Sequence, residues 1–206
     1  MTVRGAVRRV PFVAVGYATV LVVAHFWLAS LRPAHRARVL LSTSTDVYHL
    51  EHDPWRVLPL SALWAQGWLA LWVIGVAVCL GLLELSFGAL PTLAIAGAGH
   101  VIGTLVSEAV VALRVSAGDL PSSARHLLDV GPSYVVVACG VAVASSPAVR
   151  RRWRVLSALT LVPLTIETLD GLTSGEVDAI GHAVAAAVGA VIVLAWHRRG
   201  RVVAAP

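Results

Sequence analysis

Six long stretches of this chain run almost free of charge, and that pattern limits it to one kind of fold. A helix crossing a bilayer takes about 20 apolar residues, with about 17–25 tolerated. Inside hydrocarbon every backbone polar group must be paired within the protein, which leaves helices as the simplest spanning element. The stretches predict spans at Pro11–Leu31, Leu60–Phe87, Leu90–Leu113, Leu127–Ser145, Val155–Leu169 (with an extension to Leu172) and Val177–Trp196. Only the fifth is short by this measure. Composition agrees: 58% of residues are hydrophobic and 13% charged, against about 25% charged in a soluble domain. The expectation is an all-α, polytopic membrane helix bundle of six spans forming one domain over 1–206. It has basic inner tails at about 1–10 and 197–206 and a long outer loop at about 32–59. The first run exceeds the roughly 7–15 residues of a signal-peptide core, and no small-x-small cleavage site precedes Arg32, so it reads as a retained span.

Charge gives the direction. All 16 basic residues are arginine, and the net charge is +5. Their clustering at span ends is a topology signal, not a nucleic-acid footprint. With the N-terminus inside, the inner segments hold Arg4, Arg8, Arg9, Arg150, Arg151, Arg152, Arg154, Arg198, Arg199 and Arg201. The outer segments hold Arg32, Arg36, Arg38, Arg56, Arg114 and Arg125. Ten against six predicts both termini in the cytoplasm of a multi-pass cell-membrane protein. Trp64, Trp153 and Trp196 near span ends read as interfacial anchors. Cys79 and Cys139 lie mid-span and read as small core residues. His49 and His52, with Glu51 and Asp53, match no ligand spacing, so no metal site is expected, and no cofactor either.

Two polar residues stand out. Ser133 lies six residues into the fourth predicted span, about 9 Å deep, and His182 five residues into the sixth, about 8 Å deep. Both depths are measured from the outer face. Gly181, Ala185 and Gly189 form a small-residue row beside His182, and Gly131, Ala138 and Gly140 supply small residues on the fourth span, which permits close approach. A histidine that accepts the serine proton makes a nucleophile for acyl transfer. The plainer reading is a serine bonded to a backbone carbonyl and a histidine paired with a neighbour. In the third span His100 and Thr104 lie one turn apart on one face, with Ser107 and Glu108 further out. They read as a packing contact, or alternatively as donors to an outward-facing cavity at the depth of Ser133 and His182. Glu108, Asp129, Glu167, Asp170 and Asp178 fall toward outer span ends, where acids cap helices. They leave a small ion or proton transporter as a lesser alternative, without the inverted repeats or broken helices of transporters.

The order of these pieces resembles the rhomboid family of intramembrane serine proteases. Gly131-Pro132-Ser133 is similar to the start of that family's Gly-x-Ser-Gly motif. Asp178-Ala179-Ile180-Gly181-His182 with Ala185 and Gly189 is similar to its sixth-span histidine and small-residue ridge. Pro54-Trp55-Arg56 is similar to the Trp-Arg element of its first outer loop, and Glu84 resembles an acid of its second span. The match covers roughly residues 50–196. The resemblance implies a Ser133–His182 dyad cleaving transmembrane substrates with no metal or diffusible cofactor. Alternatively it implies a catalytically inactive protein, a pseudoprotease that binds transmembrane partners. Three departures bear on activity. Tyr134 replaces the second glycine of the motif. Trp68 and Trp72 occupy the spacing of the family's oxyanion-assisting His-x-x-x-Asn, leaving Gln66 as the nearby amide. Val137 stands where an aromatic residue is expected one turn past the serine. Losing one oxyanion donor costs about 10²–10³ in rate.

Overall fold

The computed structural model describes residues 10–203, with side chains described through Arg198. Arg4, Arg8 and Arg9, and the side chains of Arg199 and Arg201, lie outside the described residues. Helix α1 is Phe12–Ser30. It is followed by three short helices, α2 (Pro33–Ser42), α3 (Val47–His52) and α4 (Pro54–Ser61). Helix α5 (Leu69–Gly75), a π-helical turn at Val76–Leu80 and α6 (Gly81–Phe87) form one rod. Then come α7 (Ala89–Ser116), a 3-10 turn at Ser122–His126 and α8 (Ser133–Ser145). Helices α9 (Arg151–Thr160), α10 (Val162–Ser174) and α11 (Val177–Val203) complete the chain. No strand occurs among the described residues. Residues 31–68 and 117–132 share one end of the bundle, called here the loop end; Arg150–Arg154 mark the opposite end.

The six spans expected are not six equal rods. Four elements are long and apolar enough to cross a membrane: α1, the α5–α6 rod, α7 and α11. Helices α9 and α10 qualify only as one span bent by 52°. Helix α8 has 13 residues and is about 20 Å long, short of a hydrocarbon core of about 30 Å. Two predicted starts move. The second span begins at Leu69, not Leu60, because Gly67 takes φ +70 and the Trp64 indole donates to Thr43 Oγ1 at 2.8 Å. These hold residues 62–68 in a turn. Trp64 is therefore buried and stacked on Trp27, not an interfacial anchor. The fourth helix starts at Ser133, not Leu127, because Gly131 (φ +152) and Pro132 break the run.

The core sits where α8 passes between α7 and α11. A Cβ on Gly99 would strike Ala138, and one on Gly189 would strike the Ala138 carbonyl. Helices approach this closely only across small residues, and Ala138 and Ala185 are fully buried. Gly140 serves the other side of α8, against Cys79 and Leu161, while Gly131 has no packing role and acts as a turn. Helix α1 is tied on differently. The N–H groups of Val13 and Ala14 donate to the two carboxylate oxygens of Glu84, each at 3.0 Å. A buried acid thus satisfies two of the free donors of the first turn of α1 and complements its dipole.

Candidate functional site

The loop end is knitted into the bundle by buried polar groups. Thr43, Ser44, Thr45 and Asp46 are all buried, so the connection predicted to lie at the surface dips inward at its middle. Thr45 donates its N–H to Asp129 O and its hydroxyl to Asp129 Oδ2, and Asp129 N–H donates to Ser44 Oγ. Gly131 N–H donates to Ser61 O at 2.9 Å. His100 Nε2 donates to the Leu58 carbonyl at 2.7 Å and lies 3.2 Å from Ser61 Oγ. These bonds fix residues 129–132, and with them the start of α8, against the short helices. Trp55 remains largely exposed and Arg56 pairs loosely with Asp53.

Ser133 is the first residue of α8 and half-buried. No side chain caps this helix, so its first amides point free toward the loop end. His182 is buried in the second turn of α11, and its Nε2 has no hydrogen-bond partner among the described residues. Ser133 Oγ therefore makes no hydrogen bond to that nitrogen. Tyr134 stands against the imidazole instead, edge-on, with ring centroids 5.0 Å apart. A Cβ on Gly181 would strike the Tyr134 ring, and one on Gly103 would press it at 3.3 Å. The phenol reaches Ser107 Oγ at 3.5 Å, and the His100 ring lies 6.3 Å away by centroid. Thr104 is fully buried, its hydroxyl unpartnered among the described residues. The structure thus gathers His100, Thr104, Ser107, Tyr134, Gly181 and His182 at the α7–α8–α11 junction. Gln66 lies elsewhere, and so does a feature that the sequence reading missed. Between α5 and α10, which scarcely touch, runs a groove of about 680 Å³ lined by Gln66, Trp68, Leu71, Ile74, Leu159 and Glu167, among others. Its legible signal was Leu71 and Ile74 on α5, Trp68 just before it and Leu159 on α9, all exposed. Gly99 and Gly103 were missed too, although their spacing of four is a small-residue row in plain sight.

Asp129, in the connection before α8, gives the loop end a pH dependence. Burial, with the charges of Asp178 and Asp46, pushes its carboxyl up to about 7, against the pull of the Thr45 hydroxyl. Glu108 of α7 also faces it. Between the ordinary value near 3.8 and about 7, the folded protein holds a proton that the unfolded chain has released. This contribution to stability is complete below the ordinary value and is lost as pH rises through about 7. The loss is at most about 4 kcal/mol, reduced by solvent screening of a half-buried group. The melting temperature in detergent is expected to fall from pH 5 to pH 8, and Asp129→Asn to flatten that slope. An equally steep slope in the variant would refute the assignment.

A family model described as rhomboid-like protein matches residues 5–200. No curated protein and no solved structure matches the chain. The matched span takes in every membrane-length helix of the bundle and both Ser133 and His182, and this integral membrane protein belongs to the rhomboid-like protein family.

Proposed function

We propose that the protein binds a transmembrane helix of another protein in the groove between α5 and α10, without cutting it. Both termini then lie in the cytoplasm of a cell-membrane protein, as Arg150 and the arginines of the first turn of α9 favour. One observation carries the non-cleaving reading: the Tyr134 ring is wedged between Gly103 and Gly181 and abuts His182. A general base must reach the proton it takes, at about 2.6–3.2 Å or somewhat more in an empty site. Here the His182 ring is occupied by an aromatic neighbour and its Nε2 is buried. The groove supports binding because its lining is apolar and exposed at Trp68, Leu71, Ile74 and Leu159. In a bilayer, helices associate through such packing surfaces.

A second reading keeps the Ser133–His182 dyad as a protease. The uncapped start of α8 favours it, since free amides at Ser133 and Tyr134 are the donors an oxyanion needs. The two readings separate with a fluorophosphonate probe on the full-length protein in lipid, beside an active serine hydrolase. The expected result is no difference between the wild type and Ser133→Ala. Labelling that vanishes in both Ser133→Ala and His182→Ala would replace binding with proteolysis.

A further inference from the structure

The groove holds one group that apolar packing does not explain. Glu167 projects from α10 into it and is exposed. It lies seven residues before Ser174, the end of α10, about 10 Å from the loop end of the helix. The ion pairs of the described residues are His49–Asp46, Arg56–Asp53 and Arg125–Glu51, so Glu167 takes part in none of them. Of its groove neighbours, Leu71, Ile74, Leu159 and Leu164 carry no polar group, while the Trp72 indole donates to Gln66 O and the Thr160 hydroxyl to Leu156 O. The Trp68 indole and the Gln66 amide are neutral donors, and no cation lines the groove. A carboxylate at this depth on a lipid-facing helix is costly without a partner.

Resting on the helix-binding reading above, we propose that Glu167 selects the partner. The groove takes a transmembrane helix carrying an arginine or lysine about two turns below its loop-end boundary, paired with the Glu167 carboxylate. The charge complementarity works in both directions. A basic residue inside a membrane helix costs about 2.5–3.5 kcal/mol at the centre of a span, so such a helix gains by meeting an acid in a packed groove. A purely apolar helix would bury the Glu167 carboxylate with no cation to pair it. A lipid chain would fill the apolar lining equally well, but it places no cation at this depth. The inference therefore commits to a helix.

The probes are synthetic 22-residue leucine–alanine helices, each with one diazirine and with either lysine or leucine seven residues from one end. They are reconstituted with the full-length protein in phosphatidylcholine vesicles, and the cross-linked residues are mapped by mass spectrometry. The lysine probe is expected to label α5 and α10 about tenfold more than the leucine probe, a factor of ten in affinity. Glu167→Gln should remove that preference. Glu167→Lys should transfer it to a probe with glutamate at the same position. Equal labelling by both probes, unchanged in Glu167→Gln, overturns the selection by charge and leaves the docking groove standing. No labelling of α5 or α10 by any probe overturns both. Glu167-dependent labelling by a photoactivatable phosphatidylethanolamine, with no helix taken up, overturns the proposal in favour of a lipid amine.

Discussion

Gly189→Ala is expected to destabilise the protein by about 3 kcal/mol or more, the upper range for overpacking a core. The added methyl would strike the carbonyl, carbonyl carbon and Cα of Ala138. All three are backbone atoms of α8, which is buried along most of its length, so neither helix can give way by turning a side chain. The only relief is to push α11 off α8, and that opens the junction holding Tyr134 and His182. Gly16→Ala is the control, since a Cβ there meets nothing within 4 Å. That change is expected to be neutral or to stabilise by up to about 1 kcal/mol through helix propensity. Thermal unfolding in one detergent, followed by size-exclusion chromatography, reads both. A Gly189→Ala protein that melts with the wild type would show that the α8–α11 contact is looser than described.

Glu84→Ala is expected to cost about 3–5 kcal/mol and to loosen the start of α1 selectively. Two N–H groups lose a charged acceptor, at roughly 1.5–3 kcal/mol for each such bond, and no water replaces it where Glu84 and Ala14 are buried. Glu84→Gln keeps one oxygen and should lose about half as much. Hydrogen exchange separates this from general instability. The amides of Val13 and Ala14 should exchange much faster in Glu84→Ala, while those of α8 keep their protection. Uniform loss of protection across the bundle would count against a local tether.

The membrane character, three of the long helices and several packing positions were legible in the chain. Helices α1, α7 and α11 begin within about two residues of where hydropathy puts them, because an uninterrupted apolar run has one low-energy state in a bilayer. On α11, Gly181 meets the Tyr134 ring and Gly189 the Ala138 carbonyl of α8. The start of α8 was not legible, since Leu127, Leu128 and Val130 continue the apolar run while Gly131 and Pro132 alone reset the backbone. Nor was the burial of Ser44, Thr45 and Asp46. Hydropathy marks such residues as surface; Ser44 and Thr45 are satisfied by Asp129, more than 80 positions away in the chain, and Asp46 by His49. At the site, the residues were readable but their pairing was not. The residue one step past the serine looked like an obstacle to backbone donors. In the fold it is the side chain that meets the histidine.

The π turn at Val76–Leu80 sets the azimuth of everything on the rod beyond it. Before the turn, Gly75 rests on Val136 and Leu71 and Ile74 face the groove. After it, Gly81 meets Ala14 and Glu84 reaches the first amides of α1. A π turn holds one residue more than the α-helical turn it replaces, and one residue is about 100° of rotation. The shift lets Glu84 face the first amides of α1 while Leu71 and Ile74 face the groove. The extra residue is a phase shift that lets one helix be read from two sides, by a docking groove on one half and by a helix cap on the other.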